Sequence, residues 1–136
     1  FNAFPIDRDG FRKHSGTSRR LLRSGVPILV FPEGGRQTDG RMKDFKPGGA
    51  ALAIGVGVPV IPAAIIGGYE AMPKGRSWPE KGRPPVGVVF GEPMIAEEGE
   101  SAVDFSARIR ECVKTLYDQH YDEVLATGGP GEEGAE

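Results

Sequence analysis

Two short segments each place a carboxylate and a guanidinium directly after an apolar run. "FPIDR" begins at Phe4 and ends in Asp7 and Arg8, while "ILVFPEGGR" carries Phe31 and Pro32 into Glu33, Gly34, Gly35 and Arg36. An arginine offers a planar fork of donors that matches phosphate oxygens. A glycine pair lets consecutive backbone N–H groups turn toward one point and cradle an anion. Glu33 would repel a phosphate directly, so its chemistry is to orient an arginine or to accept from a substrate hydroxyl. Two such corners facing each other would hold a phosphomonoester through several charge-assisted bonds. Taken singly, the patterns are also those of a tight turn whose Glu33 and Arg36 pair, and of a surface ion pair between Asp7 and Arg8.

The other chemistry-bearing residues point elsewhere. His14 lies in a basic stretch and reads as a solvated residue at a helix start, and His120 falls on the apolar face of a long helix as a packing histidine. Cys112 shares that face and reads as an inert thiol. No His, Cys or carboxylate spacing suggests a metal site. "FPEGGR" lacks the Lys-Ser/Thr ending of a nucleotide P-loop, so nucleotide hydrolysis is not expected. Trp78 sits among Lys74, Arg76, Lys81 and Arg83 and could meet lipid headgroups, but an ordinary covering aromatic in a loop is the preferred reading.

The elements that must position these residues follow from the apolar pattern. Phe4–Ile6 reads as a short strand, and a helix is expected from about Ser15 to Ser24 with Leu21 and Leu22 inward and Arg19, Arg20 and Arg23 mostly outward. Gly25 suits its C′ position. Val26–Phe31 is a continuous apolar run of the kind found in a strand covered on both faces. Pro47 suits the first turn of a helix to about Ile54, followed by a strand over Val58–Ile66 and another over Val86–Phe90. A final helix runs from Ser101 to about Val124, with Ser101 and Asp104 placed as a capping box and Phe105, Ile109, Cys112, Val113, Leu116 and His120 on one face. This order predicts an α/β fold with a largely parallel sheet flanked by helices.

The 136 residues suffice for one domain with a real core. The net charge of −2 gives no electrostatic footprint for nucleic acid. Residues 128–136, Gly-rich and acidic, read as a disordered tail, and without Glu132, Glu133 and Glu136 the remainder carries +1. The uncharged run from Ala50 to Gly68 is long enough to span a bilayer, but Gly55, Gly57, Pro59 and Pro62 interrupt it, so a helix followed by a strand is expected there. The chain opens at Phe1 on an apolar run with no cap before it, as a fragment would.

"FPIDR" (4–8), "FPEGGR" (31–36) and "VPVIPAAI" (58–65), joined by "FKPGGAALAIGVGVPVIP", resemble the second, third and fourth sequence blocks of the glycerolipid acyltransferases, and most of all their 1-acylglycerol-3-phosphate acyltransferase branch. The resemblance covers about residues 1–95. It implies a glycerol-3-phosphate acyltransferase-like fold, incomplete at the N-terminus, with residues 1–127 as the carboxyl-terminal portion of the domain. It implies transfer of a fatty acyl group from acyl-CoA or acyl carrier protein, as co-substrate and with no cofactor, to a lysophospholipid acceptor. Phe4, Asp7, Arg8, Phe31, Pro32, Glu33, Gly34, Gly35 and Arg36 are then expected to bind substrate, with Arg8 and the third block on the phosphate. Association with the cytoplasmic face of a membrane, peripheral or anchored, is part of the same expectation. The apolar Val58–Ile65 run is expected to be core rather than an acyl channel.

The sequence departs from the family in two places. Gly35 stands where Thr or Ser is usual, and the first block, His-x-x-x-x-Asp, is absent. That block supplies the general base, so the catalytic His and Asp are expected upstream of Phe1 and this chain by itself is expected to be inactive. The alternatives are a non-catalytic phosphate- or phospholipid-binding module on the same fold, and an unrelated α/β domain whose motifs coincide.

Overall fold

The structure is a computed structural model that describes residues 11–35, 39–72, 75, 78, 81–82 and 84–127, with no side chains for 11–14. Phe4, Asp7, Arg8 and Arg36, the expected strand at 4–6, the His14 side chain and the tail at 128–136 therefore lie outside the described residues.

The described residues open with helix α1, Phe11–Arg23, which begins four residues before the sequence pattern predicts. Its end is the expected one. Gly25 has φ +82, its N–H reaches Leu22 O, and the Val26 N–H reaches Leu21 O, which together form a Schellman cap. Arg20 and Arg23 are exposed as expected, whereas the half-buried Arg19 lays its guanidinium against Gly55 of the next helix, and Ser18 beside it is buried.

Helix α2, Gly48–Val56, follows Pro47 and closes on Gly57. Strand β1 is Ala63–Ile66, helix α3 is the single turn Gly68–Ala71, and strand β2 is Gly87–Phe90. The uncharged run from Ala50 is thus broken at Gly57, and among the described residues no helix is long and apolar enough to cross a membrane.

The sheet corrects the sequence expectation. Among the described residues it has two strands, and they run antiparallel, with Ala63 opposite Phe90 and Ile65 opposite Val88. A parallel pair needs a crossover helix to carry the chain back to the same end. Among the described residues, the connection from Gly67 to Val86 holds no helix beyond the one-turn α3, and β2 returns beside β1 instead. An antiparallel bridge between Val60 and Met94 extends the same pairing beyond the strands. Val26–Phe31 is not a strand either: Leu29 is 77% and Phe31 64% exposed, and no described segment takes up its ladder of N–H and C=O groups. An apolar run becomes a buried strand only when neighbours pair with it and cover it. Here Val30 packs against Gly49 at the start of α2 but remains 45% exposed.

Helix α4, Ala102–Ala126, is the spine of the described structure and packs on α2, β1 and β2. Ser101 caps it by accepting the Asp104 N–H at 3.1 Å, half of the expected capping box. Arg108 ties the loop before it, bonding the Glu100 carboxylate and Ile95 O while covering the Phe105 ring. That guanidinium, followed by the Glu97 N–H, holds the Glu100 carboxyl below its usual range. Phe105, Ile109 and Val113 bury against Ala50, Ala53 and Ala64 to form the core. Val58 and Val60 of the apolar fourth segment pack on this core, whereas Ile61 and Ile65 stay exposed. The outer face of the sheet, with Ile65, Val88 and Phe90, is likewise uncovered.

Candidate functional site

The described part of the expected site is the turn Phe31–Gly35. Pro32 pre-sets φ at the first corner and Gly34 closes the turn through its N–H to Phe31 O at 3.2 Å. Gly34 adopts φ +69, a conformation that costs a residue with a Cβ about 1–2 kcal/mol. Gly35 has neither a positive φ nor any atom within 4 Å of where a Cβ would stand. The expected cradle of two consecutive free amides is therefore not formed. The Gly34 amide is used inside the turn, and only that of Gly35 has no partner among the described residues.

Two further bonds lock the turn to a segment ten residues on. The Glu33 carboxylate accepts the Lys43 N–H at 3.1 Å, and Pro32 O accepts the Lys46 N–H at 2.8 Å. Glu33 thus acts here as a clasp across the base of the 35–42 loop. The Lys46 side chain runs back over the turn, with Cε 2.8 Å and Nζ 3.0 Å from the place a Cβ on Gly34 would take. The ammonium consequently lies beside the glycine turn.

Helix α4 holds this second segment in turn. The Ser106 hydroxyl donates toward Phe45 O and Lys46 O at 3.4 and 3.3 Å. One helical turn further, Arg110 donates to Lys43 O at 3.0 Å and Met42 O at 3.1 Å. Ser106 and Arg110, at i and i+4, face the same way and grip one stretch of backbone. Position is relayed from α4 to residues 42–46 and from there to the turn.

The structure therefore brings Phe31, Pro32, Glu33, Gly34 and Gly35 together with Lys46, Ser106 and Arg110, and the last three were missed by sequence reasoning. Their acceptors are main-chain carbonyls or a turn in space, which leave no spacing pattern. The available hint was "FKP", a lysine just ahead of a helix start. Of the two histidines, the described one is engaged: His120 Nδ1 lies 3.1 Å from Glu123 Oε2. Its ring is partly exposed rather than buried in packing.

A second concavity is chemically distinct. An open hollow of about 440 Å³ is lined by Asp39, Glu70, Asp118 and Asp122 with Tyr69, Tyr117 and Tyr121. Four carboxylates would repel a phosphate. Tyr121 donates to Glu70 Oε1 at 2.7 Å, and that bond, with burial and the Glu70 charge, pushes its hydroxyl up to about 12.

Comparison with known proteins places this geometry. The acyltransferase family pattern matches residues 1–66, the stretch that contains the Phe31–Gly35 turn and Lys46. The 1-acyl-sn-glycerol-3-phosphate acyltransferase of Pseudomonas aeruginosa is 41% identical over 87 residues, covering 60% of this chain and 31% of that protein. Over residues 1–66 the chain is acyltransferase-like. The mouse 1-acyl-sn-glycerol-3-phosphate acyltransferase alpha is 31% identical over 132 residues, 90% of this chain and 45% of its own length, so the similarity reaches α4. The crystal structure of the 1-acyl-sn-glycerophosphate (LPA) acyltransferase PlsC from Thermotoga maritima superposes with a TM-score of 0.66 at 33% identity, covering 77% of this chain and 43% of that one. The chain spans less than half the length of the curated acyltransferases it matches.

Proposed function

We propose that this chain supplies the acceptor-binding part of an enzyme that moves a fatty acyl group from acyl-CoA or acyl carrier protein to the free hydroxyl of 1-acylglycerol-3-phosphate, giving phosphatidic acid. The observation that carries this reading is the Phe31–Gly35 turn, clasped through Glu33 and Pro32 at the corner where the family pattern matches. In the reaction the hydroxyl oxygen attacks the thioester carbonyl, a C–O bond forms and the C–S bond breaks. The hydroxyl proton passes to a base and on to the leaving thiolate. The base is that of a His-x-x-x-x-Asp block, which residues 1–136 do not carry, and Arg8, Arg36 and the Gly35 amide bind the acceptor phosphate. Without that block, acyl transfer by the chain alone falls by about 10²–10⁴-fold or more. The acceptor is drawn from a membrane, and the exposed Leu29 and Phe31 beside the turn support peripheral contact with a lipid surface.

A second reading, a phospholipid-binding module without chemistry, is favoured by the lack of any His-x-x-x-x-Asp spacing within these 136 residues. The gene's full product, incubated with lysophosphatidic acid and each thioester donor, decides between the two. Phosphatidic acid detected by mass spectrometry supports the enzyme. Binding of lysophosphatidic acid with no transfer from either donor refutes it in favour of the module.

A further inference from the structure

Lys46 is not part of the charged motifs that frame the expected site, yet its side chain is the one that touches their turn. Its backbone is pinned on both sides, by its N–H to Pro32 O at 2.8 Å and by its carbonyl to the Ser106 hydroxyl at 3.3 Å. Its stem crosses Gly34 at a distance that only the missing Cβ permits. A lysine elsewhere on a surface surrenders considerable side-chain freedom when it engages an anion. Here the backbone is already fixed and the stem already lies over the turn. Among the described residues no carboxylate pairs with the Lys46 ammonium: the ion pairs there are Arg108 with Glu100, Arg110 with Asp44 and Glu111, and His120 with Glu123. The neighbouring Glu33 carboxylate accepts the Lys43 N–H through Oε2. An ammonium that no carboxylate pairs with among the described residues, beside a glycine amide that also has no partner among them, fits a compact dianion, and a phosphomonoester carries about −1.5 to −2 charges at pH 7.

We infer that Lys46 is a specificity residue whose ammonium binds the phosphomonoester of a glycerol phosphate headgroup and separates phosphorylated acceptors from unphosphorylated ones. The inference rests on the acceptor reading above and adds a ligand to it. Lys46 holds no reacting atom: it lowers the free energy of the bound headgroup through one charge-assisted bond.

The test uses the 136-residue chain as wild type and as Lys46→Met, Lys46→Arg and Lys114→Met, titrated with glycerol 3-phosphate, glycerol and inorganic phosphate and followed by the Gly34 and Gly35 amide resonances. Met keeps the stem over Gly34 and removes only the charge, and Lys114, on the exposed side of α4, controls for net charge. Glycerol 3-phosphate binding is expected to weaken about tenfold in Lys46→Met and to return in Lys46→Arg. Lys114→Met should match wild type, glycerol should not bind, and inorganic phosphate should bind more weakly than the headgroup. Wild-type binding that is unchanged in Lys46→Met overturns the role of Lys46 and leaves the acceptor reading standing. A loss in Lys46→Met that Arg does not restore assigns Lys46 to packing and also overturns it. Inorganic phosphate binding as tightly as glycerol 3-phosphate overturns the headgroup assignment. Absence of any wild-type binding overturns the acceptor reading and this inference together.

Discussion

Gly34 and Gly35 are neighbours of the same type, and the structure assigns them opposite responses to the same substitution. At Gly34, φ is +69 and an added Cβ meets Lys46 Cε at 2.8 Å. The backbone term alone is about 1–2 kcal/mol, because a Cβ is disfavoured in the left-handed region. The contact adds less, since the atoms in the way belong to the end of a flexible side chain that can swing aside. For a chain of this length Gly34→Ala should therefore lower Tm by roughly 3–10 °C. It should also displace the ammonium from the turn. At Gly35 there is no positive φ and no atom within 4 Å. Ala there restricts the unfolded chain and should stabilise by about 0.4–1 kcal/mol, and Thr, the residue usual in the family, should be accommodated as well. Scanning calorimetry of wild type, Gly34→Ala, Gly35→Ala and Gly35→Thr, checked for two-state unfolding, reads the difference directly. Equal shifts of the same sign at the two positions would show that the turn does not close through Gly34, and the clasp to Glu33 and Lys46 would lose its basis.

Further outcomes follow from other contacts. Arg110→Met keeps the apolar stem but removes the bonds to Lys43 O and Met42 O, so proteolysis between residues 35 and 42 should accelerate several-fold at an unchanged far-ultraviolet spectrum; an unchanged cleavage rate would contradict the relay from α4. Gly67→Ala should prevent folding, because φ is +86 and the new Cβ would fall on the Pro85 carbonyl, a backbone atom that cannot step aside; soluble, cooperatively melting protein would contradict the close approach. The Tyr121 hydroxyl is raised to about 12 by its bond to Glu70. A tyrosine raised in the fold favours its neutral form there, so its contribution to stability is intact below about pH 10 and is lost as pH rises toward 12. Denaturant midpoints should fall across that window in wild type and fall less in Tyr121→Phe; identical slopes would remove the role of the hydrogen bond.

How much of this was legible beforehand depends on whether an element's signal is local. The Ser101 cap, the apolar stripe through Phe105, Ile109 and Val113, and the Gly25 terminus are written in residues a few positions apart, and each was found where it was read. The direction of β1 and β2 was not, because an apolar run of four residues pairs equally well in either sense and the connection decides. Val26–Phe31 was overread for a related reason: burial belongs to the neighbours of a run rather than to the run. At the site, the sequence named the turn but not its supports. Glu33 was assigned to an arginine or a substrate hydroxyl, and its described partner is the Lys43 amide, which every non-proline residue possesses. Lys46 and Arg110 were invisible for the same reason, since a main-chain acceptor gives no residue type to look for.

The relay from α4 through residues 42–46 to the Phe31–Gly35 turn has a bearing on how damage reaches this corner of the molecule. A nick, frameshift or helix-breaking substitution beyond residue 100 would leave every letter of the recognisable motif intact while slackening the hinge that gives those letters their shape. Variants judged by motif integrity alone would be scored as sound, and the lesion would surface only as a loosened turn.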